Sequence, residues 1–243
     1  MSIKTSAKMS IKKDIPLYNI LIYLLTSIMT LLSLWFLAKI EPSLVSAGDM
    51  ILSINSDTTK SANAVTSVVT YFRGLDTLGE ITILFLAVFG VSLQIEKSKK
   101  VSDVLSCDSF LLKTGVKVLF PLIVLFGVYI IIHGHLSPGG GFQGGVIIAT
   151  AFLLKYLAFG KEFDVEHKII SLMESLSGVG FILFGVISVF VLDRFLGNFL
   201  PLGSITQLFS SGTIVLIYIF VGLKVSAEIT ILIKYFVRGE DGK

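Results

Sequence analysis

A single cysteine, Cys107, stands in 243 residues, which excludes an intramolecular disulfide and any metal site built on several thiolates. Histidine is almost as scarce. His133, His135 and His167 are the whole supply, so a site held by imidazoles alone has little to draw on. No Gly-Lys-Ser/Thr follows the glycine runs, which removes a P-loop. No serine–histidine–acid set, metal quartet or carboxylate pair suggests hydrolytic chemistry, and the chain does not read as a self-sufficient enzyme. Charge is the most telling shortage. Only 15% of residues are charged while 53% are hydrophobic, with mean hydropathy +0.88, against about 25% and about 45–50% in ordinary soluble domains. The composition is that of an integral membrane protein. A net charge of +3, scattered beside apolar segments, leaves no footprint for nucleic acid.

Six apolar runs, at residues 17–37, 75–93, 116–132, 142–159, 170–192 and 212–237, approach the roughly 20 helical residues that a hydrocarbon core requires. An all-α protein with about six transmembrane helices follows. The first run is preceded by lysines but is too long for a signal-peptide core and ends without a small-residue cleavage site, so it reads as a retained anchor. The repeated tetrapeptide MSIK places a possible start at Met1 or at Met9. With both termini cytoplasmic, lysine and arginine divide fifteen inside to four outside, as the positive-inside rule asks. A polar stretch at 94–109 separates a two-helix front, residues 1–100, from a four-helix back, residues 101–243. In the outer segment between the first two runs, Ala62, Val65, Val68, Val69 and Phe72 share one face, which predicts a short amphipathic helix on the membrane surface.

The stretch HGHLSPGGGFQGG, residues 133–145, lies between the third and fourth runs. Gly139, Gly141 and Gly144 match a dinucleotide-binding pattern, but a membrane helix precedes them where a strand would be needed. Gly141, Gly145 and Ala149 fall four apart, a small-residue ridge that lets another helix approach closely. His133 and His135 read either as hydrogen-bonded helix ends or as groups passing protons between water and a membrane path.

Ionisable residues inside the spans are the remaining signal, because each is costly in hydrocarbon and therefore paired or functional. Arg73, Asp76 and Glu80 lie along one helix face, with Glu80 deepest. Lys224 falls near the bilayer midplane, with Glu228 one turn on. Glu80, Lys224, His133, His135, Asp76 and Glu228 are thus the ion-path candidates. Glu162, Asp164, Glu166 and His167 read as a solvated inner loop, and Glu174, Asp193 and Arg194 as residues orienting helix ends.

The glycine stretch, followed by LPLGSITQLFSSGTIVLIYIFVGLKV, resembles the MnhB or MrpB-type subunit of multisubunit sodium/proton antiporters over about residues 110–237. The front, with YFRGLDTLGE, resembles the C-terminal module of the large Mrp A-type subunit, a separate MbhE-type subunit in related hydrogenases. Leu75 stands where many relatives carry an aromatic residue, and Glu228 where they carry a small one. The resemblance implies a non-enzymatic subunit of a prokaryotic inner-membrane complex, with A, C, D, E, F and G-type partners. It also implies Na+ and H+ as transported species and an ion-path role for Glu80. The chain is expected to bind no metal or cofactor itself. Two readings stay open beside antiport: the same module in a redox-driven complex of the membrane-bound hydrogenase type, and a scaffold that only packs transporting subunits.

Overall fold

The computed structural model describes residues 17–39, 46–97 and 109–238. The amino-terminal lysines, both candidate starts and most of the polar stretch at 94–109 lie outside the described residues. In hydrocarbon every backbone N–H and C=O has to be satisfied within its own segment, so the apolar runs become helices. Contacts divide the chain after Ala47, and the two units are described separately.

The first unit contributes α1, Leu17–Ala38, about 33 Å long at about 1.5 Å per residue. Its hydroxyls turn back onto its own backbone: Thr30 donates to the Thr26 carbonyl and Ser33 to that of Met29.

The second unit contains α2 (Ala47–Thr59) and α3 (Ala64–Ser67), which runs into a π-helical turn at Val68–Phe72. Then come α4 (Gly74–Lys97), α5 (Phe110–Ile132), α6 (Gly141–Phe159), α7 (His167–Leu192) and α8 (Thr213–Arg238). Helices α4 to α8 are each long and apolar enough to cross a bilayer, and α1 carries a shorter apolar stretch, Tyr23–Trp35. This matches the six runs expected, with α5 starting six residues earlier than the hydropathy run at 116.

Helix α8 is the centre. It packs on α4, α5, α6 and α7, and 67% of its apolar window is buried against 11–33% in the other four spans. One core cluster joins Ile81 of α4, Phe181 of α7 and Leu196 of the outer loop to Ile217, Val221 and Val225 of α8. A second, at the lysine-rich end, joins Val88, Ile170, Ala227 and Ile231.

Helix α6 fits between two neighbours because two of its faces carry glycine. A Cβ on Gly141 would come within 2.8 Å of the Tyr218 carbonyl oxygen, and one on Gly145 within 2.8 Å of that of Gly222. Ala149 on the same ridge is completely buried. On a neighbouring face, about 100° round the helix, Gly144 meets Gly127 of α5 so closely that a Cβ on Gly144 would stand 2.6 Å from the Gly127 oxygen. The second ridge was not singled out in the sequence.

The short helix expected over the second part of the outer segment forms as α3 and the π-helical turn, Ala64 to Phe72, and its polar side is the one buried in the protein: Thr66, Ser67 and Thr70 are inside while Val65 is exposed. The reason is the partner available, a turn rich in free carbonyls that hydroxyl and amide donors satisfy and apolar groups do not.

Gly145→Ala should destabilise the detergent-solubilised protein by about 1–3 kcal/mol through overpacking, whereas Gly115→Ala, with open space around its Cα, should be neutral. Melting followed by tryptophan fluorescence or light scattering separates the two. Equal melting temperatures would contradict the backbone-to-backbone contact.

Candidate functional site

The outer glycine turn is held from above. Asn63 donates its side-chain amide to the Gly134 and Ser137 carbonyls at 2.9 and 3.0 Å, and its backbone N–H to that of His135 at 3.0 Å. Ser61 and Thr66 add hydroxyl bonds to the His135 and Gly134 carbonyls. Behind them Thr59 bonds Ser67, and Asn55 bonds the Ser61 carbonyl. Gly140 sits at φ +141° with the Tyr218 ring against it, a conformation and a clearance that only glycine meets at low cost. The turn is packed architecture.

The two histidines belong to this turn. His133 stacks on Tyr129 with ring centroids 4.0 Å apart, and its Nδ1 lies 3.0 Å from the Tyr129 carbonyl. His135 is fully buried, with Nε2 3.3 Å from the Gln207 carbonyl. Burial pushes the His135 imidazole below its ordinary value of 6.5, the nearby His133 adds to this, and the Gln207 carbonyl opposes it. At neutral pH His135 is therefore uncharged.

Asp76 and Glu80 occupy a different place. Arg73 closes the π-helical turn and forms an ion pair with Asp76 in the first turn of α4. Glu80, one turn deeper, is exposed and makes no ion pair with a described residue. It lines an open groove of about 400 Å³ with Val69, Arg73, Asp76 and Thr77. π-Helical turns of this kind recur beside functional positions.

Lys224 and Glu228 meet in the interior, and a third group joins them. The Lys224 ammonium lies 2.7 Å from Glu228 Oε1 and 3.1 Å from Glu174 Oε1 of α7. The side chains of Lys224, Glu174 and Glu228 are 12%, 15% and 0% exposed. Phe85 of α4 offers its ring to the ammonium at 4.8 Å, a cation–π contact that strengthens when desolvated. Gly178, one turn beyond Glu174, leaves room for the lysine stem, whose Cε would be 3.7 Å from a Cβ there.

Glu174 is thus not a residue that orients a helix end. It lies seven residues into α7, about 10 Å deep, and its carboxylate faces Lys224. Asp164 is exposed, as the solvated-loop reading expects, and also pairs with the buried Lys234 at 3.0 Å, while the same ammonium donates to the Val165 carbonyl. Asp193 caps α7 in the left-handed region, and Arg194 reaches across to the Tyr71 hydroxyl. Of the six ion-path candidates, Lys224 and Glu228 are in contact, Asp76 and Glu80 share the outer groove, and the histidines stand at the glycine turn.

Apolar spans packed around a buried lysine–carboxylate cluster define a multi-pass membrane protein. Residues 111–231 match the domain related to the MnhB subunit of the Na+/H+ antiporter. An uncharacterised protein of Methanocaldococcus jannaschii is 34% identical over 194 residues, covering 69% of this chain and 74% of that protein. The putative antiporter subunit mnhB2 of Staphylococcus saprophyticus is 40% identical over 65 residues, 27% of this chain and 43% of that one, so the match spans under half of that subunit. Among solved structures, a chain of the membrane-bound sulfane sulfur reductase, an archaeal respiratory membrane complex, is 38% identical. It superposes with TM-score 0.73 over 91% of this chain and 99% of that chain. A chain of the Mrp complex from a Dietzia species shares the fold at TM-score 0.66 and 23% identity, over 93% of this chain and 27% of that one. The chain belongs to the MnhB-related family of prokaryotic multi-pass membrane proteins.

Lys224→Met leaves two carboxylates buried beside an apolar group and should cost about 3–5 kcal/mol, with a lower melting temperature in detergent. The triple variant K224M/E174Q/E228Q, which removes every charge together, should recover most of that loss. His135 supplies a second check. Because its folded value lies below 6.5, the unfolded chain binds the proton more readily and stability rises with pH. The melting temperature should therefore fall as pH drops below 6.5, and His135→Gln should flatten that fall.

Proposed function

We propose that the chain is a membrane subunit of a multisubunit Na+/H+ antiporter assembly of the Mrp type, helping to form its ion path. It is a transporter subunit and not an enzyme, and it works beside A, C, D, E, F and G-type neighbours in the inner membrane. The observation that carries this is the coincidence of the MnhB-related match with the helices that hold the buried cluster: residues 111–231 contain Glu174, Lys224 and Glu228. In this reading residues 1–100 and 101–243 are an Mrp A-terminal or MbhE-like module and an MnhB-like module joined in one chain. In support, the likeness to one chain of the Mrp complex runs through both.

A redox-driven complex is the second reading, favoured by one observation. The 38% identity to a chain of the sulfane sulfur reductase complex is nearly end to end. There the same module would move ions while electron transfer takes place in other subunits.

Glu80 is exposed in a groove at the front of the chain and forms no ion pair with a described residue, which suits it to an ion path. Glu80→Gln should reduce Na+-driven proton movement in everted vesicles to the level of vesicles lacking the complex, with subunit abundance unchanged. Unaltered exchange at normal abundance would overturn that role. Mass spectrometry of the native complex after mild extraction separates the two readings: antiporter-type subunits alone favour the first, and added iron–sulfur subunits favour the second.

A further inference from the structure

The buried cluster is one positive charge short. A single ammonium, Lys224, faces two carboxylates, Glu174 and Glu228, so the fully ionised trio is net negative in a region where unpaired charge is expensive. Glu228 shows where the deficit falls. It has no exposed surface, and its Oε2 has no hydrogen-bond partner among the described residues. Among the described residues, the charged groups acting on it are Lys224 from its own helix and Glu174 from α7. From α4 comes the Phe85 ring, and α6 brings Gly145 against Val225. A carboxylate sealed in this way is most cheaply completed by a proton, which neutralises it without further ligands. A hard metal cation asks for a shell of several oxygens, and the Lys224 ammonium already fills the space between the two carboxylates.

The route to the cluster is one-sided. A groove of about 170 Å³ runs along α4, α7 and α8 and is lined by Phe85, Ser92, Ser171, Glu174 and Tyr235. At about 30 Å³ per water it has room for about five. Ser171 lies nearly one turn from Glu174, Ser92 two turns from Phe85 and Tyr235 two turns from Glu228, all toward the lysine-rich end that the charge distribution makes cytoplasmic. In the other direction the path is shut. Ile81, Phe181, Ile217 and Val221 are each at most 2% exposed, and the core they form stands immediately outward of Phe85 and Lys224.

Building on the ion-translocating reading above, we propose that Glu174, Lys224 and Glu228 form a proton-binding site. It carries one exchangeable proton on Glu228, loaded from the inner face along the Ser171 groove with Glu174 as the entry group. Lys224 stays charged and holds the unprotonated Glu174 in place. The step is a simple transfer: Glu174 takes a proton from groove water and passes it to a Glu228 carboxylate oxygen, which returns Glu174 to its carboxylate, and the proton leaves by the same path.

The test uses the purified complex in nanodiscs and pH-induced infrared difference spectra. The wild type should show a carboxylic-acid C=O band that shifts in heavy water and titrates with pH. Glu228→Gln should lose that band, and Glu174→Gln should keep it with a displaced midpoint. Persistence of the same band in Glu228→Gln overturns the assignment. If that variant does not assemble, Glu228→Asp replaces it: a moved midpoint supports the site and an unchanged band overturns it. For the route, Ser171→Cys in a Cys107→Ser background should react with a membrane-impermeant thiol reagent in inside-out vesicles only. Labelling from the outer side, or labelling only after denaturation, overturns inward loading. Na+/H+ exchange measured on the same preparations separates the two levels. Exchange absent from the wild type counts against the antiporter reading while leaving the band standing, and exchange intact with no titrating band counts against the site alone.

Discussion

Backbone-to-backbone contact between α6 and α8 is the constraint from which the rest of the second unit follows. A helix bearing Lys224 and Glu228 can lie in hydrocarbon only if other protein surrounds it. Gly141 and Gly145 bring α6 against the Tyr218 and Gly222 carbonyls, and the Gly144–Gly127 contact then draws α5 onto a neighbouring face of α6, where it also packs on α8. With two sides of α8 covered, α7 and α4 close the remainder through Phe181, Ile81 and Val88. The charges are buried because the glycines allow the helices to come close enough to bury them.

Polar residues do the equivalent work outside the spans. The glycine turn exposes carbonyls that no helix satisfies, and Ser61, Asn63 and Thr66 of the outer segment donate to them. An apolar cap would have left those carbonyls buried and unpaired, at a cost of about 1–3 kcal/mol each. That is why the segment turns its threonines inward and leaves Val65 outward, against its own hydrophobic pattern.

The helices were legible because hydropathy and length are summed over some twenty residues, and bilayer thickness fixes both. The Gly141–Gly145–Ala149 ridge was legible for a similar reason: a four-residue period of small side chains has few uses in a membrane. Glu174 was misread because a carboxylate near a span end has an ordinary explanation. What it pairs with, Lys224 on another helix fifty residues away, leaves no local pattern around it. Asn63 and Thr66 could not be found from local pattern at all. Their partners are more than sixty residues distant, and hydrogen bonds to main-chain carbonyls leave no side-chain pattern at the receiving end.

The connection between α7 and α8 is fastened at both ends. At the inner end Lys234 holds Asp164 and the Val165 carbonyl, just ahead of α7. At the outer end Asn198, just past α7, accepts from the Thr213 N–H and donates to the Ser211 carbonyl, at the start of α8. Two helices pinned at opposite ends behave as a beam with fixed supports: neither can slide along the other without breaking a staple. The register between Glu174 and Lys224 is therefore set by the chain itself, and any motion that opens or closes their contact has to be a rotation or a bend between the pins.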